Sequence, residues 1–155
     1  MVYVLNKEGK PLMPCKEAKA RHLLKQNKAK VVKKIPFTIQ LLFDCENITQ
    51  PVTLSVDAGS KHIGLSATTE TKALYEADVE LRNDIVELIS SRREARHTRR
   101  NRKTRYRKAR FNNRRKGEGW LAPSIRQKID THLTVIENVH KILPITKITV
   151  ETAQF

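Results

Sequence analysis

Two acidic residues in this chain stand where a carboxylate could hold a metal ion. Asp57 lies in VTLSVDAGSKHIGLS (52–66), between an apolar alternating run and Gly59. It is expected at a strand end, held rigidly beside a tight turn where a phosphate could approach. Glu151 lies in KITVETAQF (147–155), again at the end of an apolar strand-like run that reads as buried. An unpaired carboxylate on such a strand costs on the order of several kcal/mol, so it calls for a cation. Two strand-borne carboxylates brought into one sheet are raw material for a divalent-metal site, which takes hard oxygen ligands. Each acid also has a plainer use. Asp is a common turn former, and a Glu at a sheet end can reach solvent.

The other chemistry-bearing stretch is RREARHTRRNRKTRYRKARFNNRRK (92–116), with fourteen Lys or Arg in 25 positions and Glu94 as its one acid. Arg92, Arg96, Arg99, Lys103, Arg107, Arg110 and Arg114 recur every three or four residues, one stripe of a helix. Arg93, Arg100, Arg102 and Arg105 point elsewhere, and Arg115 extends the set. Positive charge thus faces several directions, and phosphates on more than one side would relieve the self-repulsion. Arg outnumbers Lys eleven to three here, which suits bidentate phosphate contacts. From Ser90 to Arg105 there is no large apolar residue, so no protein core can hold a helix there. The alternative is a solvated basic arm of the ribosomal-protein kind.

The elements that must position these residues follow from pattern. VYVLN (2–6) alternates as a short strand, and 6–14 reads as turn and loop around Gly9 and two prolines. Residues 15–27 form a short helix, and 28–36 and 36–43 two strands, giving a β-α-β-β module over 1–48. DCENITQ (44–50) is a linker. Residues 52–69 predict two strands about a glycine-containing turn, and 72–81 a third, an antiparallel meander over 52–82. A helical stretch runs from about Asn83 to Phe111, its start packed by Ile85, Val86, Leu88 and Ile89, within a basic segment 83–116. A loop leads to Pro123 and a helix over 124–143, whose Ile125, Ile129, Leu133, Ile136, His140 and Leu143 share one face. The strand 147–155 completes the segment 117–155.

Composition narrows the partners. The chain has 155 residues and a formal charge of +15. Fourteen basic residues stand against one acid in 92–116, and seventeen against fifteen elsewhere. A near-neutral protein with one strongly basic element points to a polyanion, above all nucleic acid. An anionic membrane fits less well, because the basic stretch lacks the apolar face of an interfacial helix. No apolar run approaches transmembrane length, and the N-terminus does not read as a signal peptide. The expectation is a cytoplasmic protein. Cys15 and Cys45 have no CxxC or Cys/His ligand spacing and read as reduced thiols.

The pattern D-x-G-x(4)-G at Asp57 also occurs in actin-like ATPases, but those need two such domains, and this chain is too short and too basic. Taken in order, the motifs resemble another family. SVDAGSKHIGLS looks like the first RuvC motif of ribonuclease H-like nucleases. The Arg-rich stretch with RRNRK looks like a bridge helix, and ITVETAQF looks like the second RuvC motif. GKPLMP (9–14) is similar to the motif that names the PLMP domain. This is the order of the IscB proteins, transposon-encoded RNA-guided nucleases, and the resemblance covers essentially the whole chain.

The resemblance implies an α/β fold: an incomplete ribonuclease H-like (RuvC) mixed sheet, a small N-terminal α+β PLMP module and a long basic bridge helix. It implies an RNA-guided DNA endonuclease, monomeric in a ribonucleoprotein with guide RNA and target DNA. Asp57 and Glu151 would be catalytic and would hold Mg²⁺ or Mn²⁺. IscB chains continue into an HNH domain and a third RuvC segment with His and Asp ligands. Neither is present in this sequence, so it reads as an N-terminal portion. His62 does not match the third-segment His. The competing expectation is a non-catalytic RNA-binding module that uses the basic helix alone.

Overall fold

A computed structural model describes residues 1–102 and 117–151. The elements are β1 (Val2–Leu5), β2 (Pro11–Cys15), α1 (Glu17–Lys25), β3 (Ala29–Lys33), β4 (Thr38–Leu41), β5 (Thr53–Ala58), β6 (His62–Thr68), β7 (Ala73–Glu80), α2 (Ile85–Arg100), α3 (Pro123–His140) and β8 (Lys147–Glu151). They form a mixed α/β molecule with two mixed four-stranded sheets, ordered β2-β1-β4-β3 and β7-β6-β5-β8.

The first sheet corrects the reading of 6–14 as loop alone. Asn6 closes a turn by donating its N–H to the Lys10 carbonyl at 2.9 Å and accepting the Lys10 N–H on Oδ1 at 2.8 Å. Gly9 takes φ 85°, a conformation glycine adopts without penalty. The chain then returns as β2, antiparallel to β1. Pro11 and Pro14 argue against a strand only in a sheet interior. β2 is an outer strand, where a missing N–H donor is tolerated. α1 lays Ala20, Leu23 and Leu24 on Val2, Val4, Leu12, Ile39 and Leu41. Cys15 and Cys45 are free thiols beside the same core, and burial pushes the Cys15 thiol up. Residues 44–50 have no regular structure, as a linker should, and the Asn6 side-chain amide donates to Asn47 Oδ1 at 3.0 Å.

The second sheet buries one face. Leu54 and Val56 of β5, and Ile63, Leu65 and Ala67 of β6, alternate inward against Val139, Ile142 and Leu143. Tyr3 joins this core from the first sheet and donates its hydroxyl to the Leu74 carbonyl at 3.2 Å. β5, β6 and β7 form the expected antiparallel meander, and β8 returns parallel to β5.

Three expectations about helices and burial are corrected. α2 covers Ile85–Arg100 with Asn101 as its cap, and the part of the expected helix over 103–111 lies outside the described residues. Ile85, Val86, Leu88 and Ile89 do not anchor it, since no α2 residue is buried. In α3, Pro123 opens the helix as expected, its missing N–H costing nothing at the first position. Only its C-terminal end packs: Ile125, Ile129 and Leu133 are 48, 44 and 54% exposed, whereas Leu143 beyond it is fully buried. β8 is exposed along its whole described length rather than buried, because it is an outer strand with a neighbour on one side only. Among the described residues, no helix is long and apolar enough to cross a membrane.

Candidate metal centre and nucleic-acid interface

The register of β8 is fixed where it starts. The Thr146 hydroxyl accepts the Val52 N–H and approaches the Val52 carbonyl, both at 3.0 Å, and the Thr146 N–H donates to that carbonyl at 2.9 Å. From this clamp the parallel ladder runs Thr53 opposite Lys147, Ser55 opposite Thr149 and Asp57 opposite Glu151. The two acids expected from sequence to share a site are therefore cross-strand neighbours, on strands about 4.8 Å apart. Paired positions of adjacent strands point to the same face.

That face carries several polar residues. Asp57 also pairs with Gly64, and Gly64 with Asp78, so one row across the sheet reads Asp78, Gly64, Asp57, Glu151. The next row reads Glu76, Ser66, Ser55, Thr149. Both rows line an open cleft of about 840 Å³. Gly64 keeps the floor beside Asp57 clear. A Cβ there would stand 3.4 Å from the Asp57 Cβ and 3.9 Å from its Oδ2. Gly59 serves the turn that follows Asp57, because a Cβ at that position would clash with the His62 carbonyl oxygen.

Asp57 and Glu151 are exposed, and neither carboxylate has a hydrogen bond or ion pair within the described residues. Free carboxylate oxygens on one face suit a hard divalent cation. Among the described residues, no group of three or more His, Cys, Asp or Glu is arranged to hold a metal. Asp78 on this face is not singled out by the sequence, and His62 is considered there only as a match to the third-segment His. His62 Nδ1 lies 3.2 Å from Asp78 Oδ2, which ties that acid to the ring rather than leaving it free. The signal for Asp78 was present in ALYEADVE, where Glu76, Asp78 and Glu80 occupy every second position and so share a face.

The basic residues divide by position. Arg92, Arg93, Arg96, Arg99 and Arg100 lie on α2, all exposed, and Arg102 follows the Asn101 cap. Lys103, Arg105, Arg107, Arg110, Arg114 and Arg115 lie outside the described residues. Arg99 and Arg100, with His97, sit in the last turn, where the helix dipole favours positive charge. At the other end, the Arg82 guanidinium hydrogen-bonds Asp84 and holds that carboxyl below its usual range. α2 is thus a helix with an acidic start, a basic end and no packed face.

A family model described as RRXRR protein matches residues 2–155. Residues 99–103, Arg-Arg-Asn-Arg-Lys, follow the pattern its name spells, with Lys in the last place. No curated protein matches the chain.

Proposed function

The chain belongs to the RRXRR protein family, and from that premise we propose that it carries the guide-binding and first metal-ligating parts of an RNA-guided DNA endonuclease of the IscB kind. The observation that carries this reading is the parallel register setting Asp57 opposite Glu151. A non-catalytic RNA-binding module would use α2 and have no need of two free acids on neighbouring strand ends. The sheet order, three antiparallel strands with a parallel fourth beside the first, supports the ribonuclease H-like (RuvC) assignment. In this reading residues 1–48 are the PLMP domain and α2 begins the bridge helix.

Asp57 and Glu151 would hold Mg²⁺ or Mn²⁺. When bound, the cation supplies an activated water and stabilises the leaving oxygen of a phosphodiester. The chain's own residues set the conditions for that. The acid row repels phosphate until a cation neutralises it, and Ser55, Ser66 and Thr149 line the same cleft with hydroxyl groups. The α2 arginines contact the guide backbone, while base pairing by the guide reads the target.

Two carboxylates leave a cation mostly hydrated, and small errors of position are costly in catalysis. The expected result for this chain alone is therefore RNA binding with little or no cleavage of single- or double-stranded DNA, with or without guide RNA. Robust cutting abolished by Asp57→Ala would show that the ligand set is already complete. Absence of RNA binding would remove the guide-binding half of the proposal.

A further inference from the structure

The near balance of charge outside the arginine-rich stretch hides a second segregation. From Ala18 to Phe43 there are seven Lys or Arg residues and no acid. α1 contributes Lys19, Arg21 and Lys25, Lys28 leads into β3, and Lys30, Lys33 and Lys34 follow along that strand and just beyond it. All seven are exposed. Arg21 reaches Glu17 at 3.9 Å, and the other six have no ion pair among the described residues. β3 is the outer strand of its sheet and touches α1.

Lysines on an outer strand discourage edge-to-edge pairing. That role accounts for Lys30 and Lys33, but not for Lys19 and Lys25 on the helix. Apolar groups are exposed here too. Phe37 and Phe43, on either side of β4, are 38 and 41% exposed. Uncompensated positive charge over a helix and a strand, with aromatic rings in reach of solvent, is the chemistry that takes a sugar-phosphate backbone and stacks unpaired bases.

We infer that the α1–β3 face is a second RNA-contacting surface, separate from α2. This rests on the RNA-binding reading above and adds a second footprint to it. It binds the backbone of a structured RNA through lysines, as point charges, where α2 uses arginine forks.

The test is a salt titration of binding to a fluorescent RNA hairpin. It compares the full chain with a variant carrying Lys28→Gln, Lys30→Gln, Lys33→Gln and Lys34→Gln. None of these side chains is in a core, so circular dichroism should be unchanged. The expected result is weaker binding and a log–log salt slope shallower by about three units, because four cations no longer neutralise phosphates. The corresponding Lys→Arg variant keeps charge and should keep the slope. An unchanged slope in the Gln variant overturns the inference, whether or not binding to a DNA hairpin of the same sequence falls. An Arg92→Gln, Arg96→Gln, Arg99→Gln chain is measured alongside. If it alone loses slope, only the second surface fails. If neither variant loses slope, the RNA-binding reading itself fails.

Discussion

Gly64 allows the acid pair to be probed without changing either acid. Its absent side chain leaves open floor beside Asp57, and a Cβ there already stands 3.4 Å from the Asp57 Cβ. Gly64→Val adds two further methyl groups toward the carboxylate while supplying a residue that strands favour. The expected outcome is a loss of Mn²⁺ affinity of about tenfold, comparable to changes in groups that orient metal ligands. The thermal midpoint should fall little. Titration calorimetry with Mn²⁺, paired with thermal unfolding, separates the two effects. Equal affinity in the variant would mean that the cation, if bound, does not use the space beside Asp57.

At the scale of elements, the site depends on Thr146. It joins the connection after α3 to the start of β5, and so decides which β8 residue meets Asp57. Thr146→Val keeps the shape but removes the acceptor of the Val52 N–H. A buried donor left unpaired costs about 1–3 kcal/mol. Chemical denaturation should show that loss, and Mn²⁺ affinity should fall with it as β8 loosens. The second element is α2. Arg92→Gln, Arg96→Gln and Arg99→Gln remove three charges from one stripe of a helix that buries nothing. RNA binding should weaken, with a salt slope shallower by about two to three units, and the fold should stay intact. A chain with Arg93→Gln, Arg100→Gln and Arg102→Gln should lose less if one helical face docks. Equal losses would favour a solvated basic arm.

Several of these elements were legible in the sequence because local pattern set them. The meander came from alternation over 52–81, and Pro123 marked the start of α3. Asp57 and Glu151 stood out because each closed an apolar run. What pattern could not supply was neighbourhood. PLMPC contains two prolines and becomes a strand only because it lies at a sheet edge. ITVE looks buried by composition yet is an outer strand. The stripe of α3 is apolar apart from His140, but only its last turns meet the sheet. His62 and Asp78 required knowledge of which β6 residue faces which β7 residue.

Over the whole molecule, charge and chemistry are partitioned. The acids of the second sheet gather on one exposed face, while positive charge concentrates on α2, in the rest of 92–116, and on the α1–β3 side of the first sheet. Tyr3 ties the two sheets together by burying its ring in the second core. In the proposed reading, a polyanion held by the basic surfaces would need a cation to approach the acid row, which makes metal binding by the acid pair the central claim. Electron paramagnetic resonance of Mn²⁺ tests it most directly, by comparing free and bound ion in the full chain, Asp57→Asn, Glu151→Gln and the control Asp130→Asn, an exposed acid on α3. The account predicts that the full chain and the control bind Mn²⁺ alike and that each site variant loses that binding. Mn²⁺ binding that survives both Asp57→Asn and Glu151→Gln, or none in the unaltered chain, would contradict it.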